Sequence, residues 1–353
     1  MKLAFIGAVG LPNRYGGFES FLEQCAPTLV RHGHQVIVTC DASAYQDDRS
    51  PTFREVERVF LKVRANGAMS ILHDAVAFAA VFARSDRIVV LGVSGGIFFP
   101  LFRALCALTG KRLLINIDGV EWRRTKFSPT RRLVLRLFDS LAQTCSHGVI
   151  YDNSALLPFV LSSARAKARM IAYSGDHVLR LPDVTRLSRT ALTICRVEPE
   201  NNIDMVIAGA LGSGLDRYTF IGNWHGSPYG RELRARHADN PRLLLVDPVY
   251  DPSIVARHRE ECAIYIHGHS VGGTNPSLVE ILFYDCAILC YDCNFNRETA
   301  GASAEYFGNS QALSALINRA EATPSSADER AATRQRFTAS AIATAYEDAI
   351  ASL

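Results

Sequence analysis

The chain has 353 residues, of which 48% are hydrophobic and 21% are charged, and its net charge is +3. This length favours about two domains, and the composition is typical of a soluble globular protein rather than a disordered one. The small net charge argues against nucleic acid as a partner, since proteins that bind polyanions usually carry a strongly basic face.

Nine cysteines lie mostly in apolar segments, which fits free thiols in a reducing cytosol. The group Cys286, Cys290 and Cys293 could be read as metal ligands, but no second cysteine pair faces it, and no metal is expected. The N-terminal run MKLAFIGAVG is predicted to be a first strand rather than a signal peptide. No window has the ~18 uninterrupted apolar residues of a membrane span.

Short apolar runs alternate with amphipathic segments of helix length, which is the pattern of βαβ units and parallel sheets. In the first half, strands are predicted near 2–6, 35–40, 57–63, 87–91, 112–116, 147–150 and 168–171. Helices are predicted near 18–32, 68–83, 96–109, 129–142 and 154–161.

The rhythm breaks in segment 174–190, which contains Gly175 and Pro182 and is predicted to link an N-terminal domain (1–173) to a second domain (191–330). Strands of the second domain are predicted near 191–195, 217–221, 242–246, 262–266 and 287–291, with final helices near 310–319 and 327–352. The pattern predicts two doubly wound, Rossmann-like α/β domains facing one another across a cleft, with loops from the carboxyl ends of the strands entering it.

The loop after the first strand, Gly7–Glu19, occupies the position of a phosphate-binding turn. Its glycine spacing matches neither a dinucleotide fingerprint nor a P-loop. Gly16 and Gly17 would let the start of the next helix approach a ligand closely, whereas Glu19 could simply cap that helix.

The segment 262–298 joins a predicted strand to the small-residue loop Gly268–Thr274 and then to a helix start at Asn275 and Pro276. Asn as N-cap and Pro in the first turn leave amide protons free to bind an anion. Glu280 follows within about one turn, where its carboxylate could accept hydrogen bonds from ligand hydroxyls. A phosphate beside a ribose would satisfy both features, and an ordinary capped helix is the alternative.

Several motifs, in order along nearly the whole chain, resemble those of GT-B glycosyltransferases of the retaining family 4. The resemblance is greatest to the bacterial rhamnosyltransferase branch whose N-terminal domain is catalogued as DUF1972. The matching segments are Tyr15–Glu19, Asp118–Arg124, Arg196–Asn202, Gly222–Trp224, Tyr229–Gly230, Asp247–Asp251 and Tyr265–Glu280.

This resemblance implies a GT-B fold in which the second domain binds a nucleotide diphosphate sugar and the N-terminal domain binds the acceptor. The last segment, 331–353, is expected to cross back and pack on the N-terminal domain. The implied activity is retaining transfer of a sugar, rhamnose from dTDP-rhamnose, onto a lipid-linked saccharide in cell-surface polysaccharide synthesis. Because the sequence contains no Asp-x-Asp motif, we expect this transfer to need no metal or other cofactor.

Arg196 matches the arginine that neutralises the diphosphate, and Glu280 matches the glutamate that binds the ribose. Asp118 matches a position that orients the acceptor hydroxyl, often histidine in related enzymes. The other residues implied to contact the donor are Gly16, Gly17, Asn201, Gly272, Gly273, Thr274 and Asn275. Further candidates are Glu19, Glu121, Asn223, His225, His267 and His269, although a histidine at a strand end can equally bond to backbone.

Two departures from the wider family fall on Gly272, which replaces a first glutamate, and Asn201, which replaces a lysine. Both are typical of the rhamnosyltransferase branch and suggest a change in donor recognition.

The segment 123–136 combines six basic residues with apolar ones, which suits either a helix lying on anionic lipid or an ordinary surface helix. The lipid-linked acceptor implied by the resemblance favours the first alternative, a helix on anionic lipid. The protein would then be cytoplasmic and attached peripherally to the inner face of the cytoplasmic membrane. The basic residues are Arg123, Arg124, Lys126, Arg131, Arg132 and Arg136.

Other functions remain open on the sequence. A GT-B sugar-nucleotide epimerase or hydrolase would share the fold, and a non-catalytic sugar-nucleotide-binding protein would show no turnover. An NAD-dependent dehydrogenase is disfavoured by the glycine spacing.

Overall fold

The computed structural model describes residues 1–123, 127–320 and 327–353. The chain divides into two compact units, which we call unit 1 (Met1–Ser174 with Ala339–Leu353) and unit 2 (Gly175–Thr338). The last helix of the chain therefore belongs to the same unit as the N-terminal strands, as the fold prediction expected.

Unit 1 contains an eight-stranded sheet with helices on both faces. Its strands are β1 (Lys2–Ile6), β2 (Gln35–Asp41), β3 (Thr52–Phe53), β4 (Val56–Leu61), β5 (Arg87–Leu91), β6 (Arg112–Asn116), β7 (Gly148–Tyr151) and β8 (Ala168–Met170). Its helices are α1 (Gly17–Arg31), α2 (Ser70–Phe82), α3 (Phe99–Thr109), α4 (Pro129–Cys145) and, numbered in chain order, α12 (Ala339–Ala351). The strand order is β3-β4-β2-β1-β5-β6-β7-β8, and only β3 is antiparallel to its neighbour.

The two faces of this sheet bury separate apolar cores, because successive side chains of a strand point to opposite faces. Leu3 and Phe5 pack with α1 and α12, whereas Ala4 and Ile6 pack with α2, α3 and α4. Burial on both faces explains why β1 is a continuous apolar run rather than an alternating one. On the first face, the ring of Tyr346 in α12 lies 6.0 Å from that of Phe5, between ring centroids.

Unit 2 contains a six-stranded parallel sheet in the order β11-β10-β9-β12-β13-β14. These strands are β9 (Leu187–Ile194), β10 (Arg217–Ile221), β11 (Leu243–Val246), β12 (Cys262–His267), β13 (Ala287–Tyr291) and β14 (Glu305–Phe307). The helices are α5 (Ile203–Leu211), α6 (Pro228–Arg236), α7 (Pro252–Glu261), α8 (Pro276–Ile281), α9 (Asn294–Ala300), α10 (Ser310–Ala320) and α11 (Ala327–Gln335).

The single helix predicted over 327–352 is wrong, because the structure has two helices, α11 and α12, separated at residues 336–338. The carbonyl of Phe337 accepts a hydrogen bond from the Gly175 amide at 2.9 Å, and Phe337 itself is buried. Because it is bonded to Gly175, the Phe337 carbonyl does not accept the hydrogen bond that would continue one helix through this region. The helix predicted over 154–161 is instead a 3₁₀ helix, Ser154–Phe159.

Each sheet has a point where the direction of winding reverses. In unit 1 the chain moves outward one way from β1 and the other way from β5, which are neighbours. In unit 2 the same reversal falls between β9 and β12. The loops that follow such strand pairs diverge, and ligands of doubly wound sheets bind in the crevice between them.

Gly7 shows how tightly the backbone packs at the reversal point of unit 1. Its φ is +95°, and a Cβ there would lie 2.4 Å from the Leu91 carbonyl oxygen. Gly33 has a similar φ of +88° but no atom within 4 Å of such a Cβ.

We therefore expect Gly7→Ala to destabilise the protein more than Gly33→Ala does. The Gly33 change should cost about 1–2 kcal/mol from the left-handed backbone alone, and the Gly7 change roughly 1–3 kcal/mol more, because the neighbouring backbone must move. Calorimetric melting of the two variants and the unaltered protein measures this difference. Equal losses in the two variants would contradict the close packing at Gly7.

Candidate functional site

Two loops meet at the reversal point of unit 2. After β12, Ser270 donates to the carbonyl of Glu200 from its amide at 3.2 Å and from its hydroxyl at 2.7 Å. The Asn202 side chain donates to the Gly268 carbonyl at 2.9 Å. A Cβ on Gly268 would lie 2.4 Å from the Asn201 carbonyl oxygen, so only glycine allows this approach. The loops after β9 and β12 are thus fixed against one another.

Arg196 follows β9 and extends into solvent from this fixed backbone. Its carbonyl accepts a 2.7 Å hydrogen bond from the Asn201 amide, which is buried. Asn201, predicted to contact the donor, therefore uses that amide to hold the Arg196 backbone. Within the described ranges, the Arg196 guanidinium forms no hydrogen bond or ion pair. Its charge and its fork of donors are available to an anion.

The turn after β12 has the predicted helix start. Asn275 caps α8, its Oδ1 accepting a 3.1 Å bond from the Ser277 amide, with Pro276 in the first turn. Thr274 is buried, and Gly272 has a φ of +128°. A glutamate at Gly272 would be strained whatever the space around it, so this departure from the family pattern involves backbone as well as charge. Because α8 has only six residues, its dipole is short and offers little charge to an anion on its own.

Glu280 forms an ion pair with Arg259, and its Oε1 lies 3.5 Å from His177 Nε2. Burial alone would raise the pKa of Glu280, but Arg259 and His177 together lower that pKa to about 2. The carboxylate is therefore ionised at neutral pH. An ionised carboxylate is an acceptor only, which suits a partner that presents hydroxyl groups.

Sequence reasoning missed Arg259, whose side chain is 7% exposed and carries the charge that opposes Glu280. Arg259 lies one helical turn after Ala256 on the buried face of α7. An arginine at an apolar position of an amphipathic helix is the sequence signal that could have revealed this pair.

Two of the three candidate histidines, His267 and His269, lie beside this turn, and the third lies in the loop after β10. His267 is buried at the end of β12, and its ring stacks on that of His269 with centroids 4.3 Å apart. Burial, with a smaller effect of His269, lowers the pKa of His267 well below its usual range. The carbonyl of His269 accepts a 2.9 Å bond from the Asn296 side chain. Asn223 and His225 are exposed in the loop after β10.

In unit 1, Glu19 lies against the first loop. Its buried carboxylate accepts a 2.6 Å hydrogen bond from the Val9 amide, and burial raises its pKa while the amides of Val9, Glu19 and Gly16 oppose that rise. The geometry favours the capping role of Glu19, since its carboxylate takes amide protons that a phosphate would use. Gly16 precedes α1 in an extended conformation, and Gly17 is the first helical residue.

Asp118 lies just beyond the end of β6 in a left-handed conformation, with φ +54°. Its amide donates to Asn116 Oδ1 at 3.0 Å, and its carboxylate accepts from the Tyr173 hydroxyl at 3.2 Å. Burial raises the pKa of Tyr173 well above its usual range, so this hydroxyl remains a donor. The Asn116 amide in turn donates to the Tyr346 hydroxyl at 2.9 Å. Strained residues fixed by such networks are characteristic of functional sites.

The predicted basic segment is described in part. Arg124, Lys126 and the side chain of Glu121 lie outside the described residues. Arg132 donates from Nε to the Trp122 carbonyl at 2.9 Å. The exposed basic residues are Arg123, Arg131 and Arg136.

The described ranges contain neither a cluster of metal ligands nor a membrane-spanning helix. No group of three or more His, Cys, Asp or Glu side chains there is arranged to hold a metal ion. No helix there has both the length and the apolar character needed to cross a membrane.

Two parallel-sheet α/β units, with the last helix returned to the first, define the GT-B fold of glycosyltransferases. Sucrose-phosphate synthase from Thermosynechococcus elongatus superposes with a TM-score of 0.79 at 14% identity, covering 100% of both chains. HepE from Anabaena, in complex with UDP-glucose, gives 0.72 at 15% identity, again covering 100% of both. The catalytic domain of starch synthase IV from Arabidopsis thaliana, bound to ADP and acarbose, gives 0.72 at 11% identity and 99% coverage of each.

Residues 1–176 match the family model described as Domain of unknown function (DUF1972). A comparison with curated proteins finds no match.

The Arg259–Glu280 pair generates a testable stability effect. The pKa of Glu280 is lowered in the folded state, so its contribution to stability is present above the unfolded-state value of 4.5 and is lost as pH falls toward about 2. We expect Arg259→Gln to cost roughly 3–5 kcal/mol at neutral pH, because Glu280 would lose the buried guanidinium that compensates its charge. The difference from the unaltered protein should shrink as pH falls through that window.

Chemical denaturation across the acidic range measures this effect. Arg257→Gln is the matched control, since Arg257 lies on the same helix, 63% exposed, beside Glu261. A difference between Arg259→Gln and the unaltered protein that does not vary with pH would refute the pairing.

Proposed function

We propose that the protein is a retaining, metal-independent glycosyltransferase that moves a sugar from a nucleotide diphosphate sugar to a lipid-linked saccharide. Rhamnose from dTDP-rhamnose is the donor favoured by the sequence resemblance, and cell-surface polysaccharide synthesis is the context. The observation that carries the proposal is a charge arrangement in unit 2. At the same edge of one sheet lie the exposed Arg196 guanidinium, which has no partner among the described residues, and the ionised carboxylate of Glu280.

Unit 2 is the donor-binding part in this proposal. Arg196 would bind the diphosphate with its fork of N–H donors, and the backbone of Gly272–Asn275 would contribute amides. Glu280 would accept hydrogen bonds from the ribose hydroxyls. The Arg259 charge supports this role because it keeps Glu280 ionised without occupying solvent-facing space. The complex of HepE with UDP-glucose and that of starch synthase IV with ADP agree with a nucleotide ligand for this fold.

Unit 1 is the acceptor-binding part, with Asp118 orienting the acceptor hydroxyl. In the reaction, the bond between the anomeric carbon and the diphosphate oxygen breaks, and a bond from the acceptor oxygen forms on the same face of the sugar. The acceptor proton passes to the departing diphosphate. Negative charge accumulates on that diphosphate in the transition state, and Arg196 is the residue that would stabilise it.

Contact with lipid is supported by exposed leucines beside exposed arginines on α4. Leu133 is 68% exposed and Leu137 is 54% exposed. The guanidinium of Arg131 stacks 4.1 Å from the Phe127 ring, and that of Arg136 lies 5.3 Å from the Trp122 ring. Leucine side chains entering the acyl boundary and guanidinium groups at the headgroups are the two features of a peripheral membrane helix. Anionic lipid of the inner leaflet is the occupant we propose for this surface.

A transfer assay with a panel of nucleotide diphosphate sugars and a prenyl-pyrophosphate saccharide tests the function. We expect a glycosylated lipid product whose formation is unchanged by EDTA. Arg196→Ala should reduce kcat/KM by on the order of a hundred-fold to a thousand-fold, because it removes a charge that acts in the transition state. Arg257→Ala, an exposed arginine of the same unit, should retain activity.

Full activity of Arg196→Ala with saturating donor would exclude its role at the diphosphate. Release of free sugar or an epimer without a lipid product would indicate the epimerase or hydrolase alternative. Donor binding without turnover would indicate a non-catalytic protein, which the glycine at position 272 would fit.

Flotation with phosphatidylglycerol-containing vesicles tests the membrane surface. Arg131→Glu with Arg136→Glu should lower the bound fraction by more than about tenfold, since each basic residue near the surface contributes about 1 kcal/mol. The control, Arg64→Glu with Arg84→Glu, changes the same charge at exposed residues of unit 1 outside α3 and α4. Equal flotation of both double variants would contradict the assignment of this surface to α4.

A further inference from the structure

A cavity of about 400 Å³ opens at the amino ends of β6, β7 and β8, within unit 1. Its wall includes Arg103, His147, Lys167 and Arg169, together with the end of α12. Among the described residues that line it, none is an aspartate or glutamate. The wall thus presents three cationic side chains, and no acidic side chain among its described residues opposes them.

Backbone carbonyl groups, rather than carboxylates, accept the hydrogen bonds of Lys167 and Arg169. Lys167 Nζ donates to the carbonyls of Thr144 at 3.0 Å and Ser146 at 2.6 Å, and an Arg169 guanidinium nitrogen donates to the Ala168 carbonyl at 3.0 Å. Carbonyl oxygens fix the direction of a cation but leave its net charge uncancelled. The exposed Arg103 guanidinium has no partner in the described part of the chain.

The pKa of His147 is affected by the positive charges around the cavity. Burial, followed by the positive charges of Arg103, Arg112 and Lys167, lowers its pKa to about 4. Its Nδ1 accepts a 3.0 Å bond from the Leu113 amide, so the neutral ring carries its proton on Nε2 as a donor. Arg112 is already engaged, since its Nε donates to the Leu353 carbonyl oxygen at 2.9 Å.

We propose that this cavity binds a phosphate monoester of a small metabolite. A dianion with three acceptor oxygens matches several cations converging from α3, the start of β7 and the start of β8, and arginine forks are suited to phosphate. The volume lies at the lower end of the range for small-molecule pockets, which fits a ligand the size of a sugar phosphate. A neutral sugar would leave the positive charges uncompensated.

This site is separate from the candidate acceptor site of unit 1. The cavity lies at the amino ends of the strands, whereas Asp118 follows the carboxyl end of β6. The four residue steps from Arg112 to Asn116 span on the order of 13 Å of strand. The inference also stands apart from the proposed glycosyltransferase activity, since it uses none of the residues assigned to donor or acceptor.

Isothermal titration calorimetry of the full chain with inorganic phosphate, glucose 6-phosphate and glucose tests the proposal. We expect saturable binding of both phosphates and none of glucose. Arg103→Gln with Arg169→Gln should weaken phosphate binding at least tenfold, and because both residues are exposed the double variant should melt like the unaltered protein. Arg64→Gln with Arg84→Gln is the control of equal charge.

Arg196→Ala separates this cavity from the proposed donor site. If Arg196→Ala abolishes phosphate binding while the cavity variant retains it, the phosphate occupies unit 2 and the proposal is overturned. If the cavity variant and the control weaken phosphate binding equally, the effect is one of net charge alone, and the proposal is also overturned. Absence of saturable binding of either phosphate at millimolar concentration would do the same.

Discussion

The fixed contact between the loops after β9 and β12 is the constraint on which the unit 2 site depends. A guanidinium without a counter-ion is useful for binding only if its backbone does not collapse toward a nearby acceptor. Here Asn201 holds the Arg196 carbonyl, and the bonds from Ser270 to Glu200 and from Asn202 to Gly268 join the neighbouring turns. The backbone of the site is therefore organised before any ligand arrives, and less conformational entropy is lost on binding.

Two arginines of unit 2 carry the same charge but serve opposite purposes. Arg259 is buried and paired, so its charge acts on the protonation state of Glu280. Arg196 is exposed and has no partner in the described parts of the chain, so its charge is available to a ligand that enters the crevice. Burial separates these roles, because a charge that is withdrawn from water must be matched internally, whereas a solvated one need not be.

Those parts of the fold that depend on a single local property of the sequence could be predicted from it. Continuous apolar runs located the parallel strands, and the adjacent Asn275 and Pro276 located the start of α8, because capping chemistry is local. The break between α11 and α12 was not accessible, since it depends on the Phe337 carbonyl bonding to Gly175, far away in the sequence. The two-residue strand β3 is too short for any periodicity to reveal it.

The same division applies to the candidate sites. Arg196, Asp118 and Glu280 could be proposed because their motifs resemble those of a known family. The groups that support them could not, since Arg259, Tyr173 and Tyr346 come from separate segments that only the tertiary structure brings together. The role of Glu19 stayed open in the sequence because capping and ligand binding use the same amides.

The return of α12 to unit 1 has a consequence for the order in which the chain acquires its structure. Ile342, Tyr346 and Ile350 complete the apolar core beside α1, yet they are synthesised after all of unit 2. During synthesis that face of the N-terminal half stays uncovered while all of unit 2 emerges. The DUF1972 match, which ends at residue 176, therefore does not include the helix that completes this core.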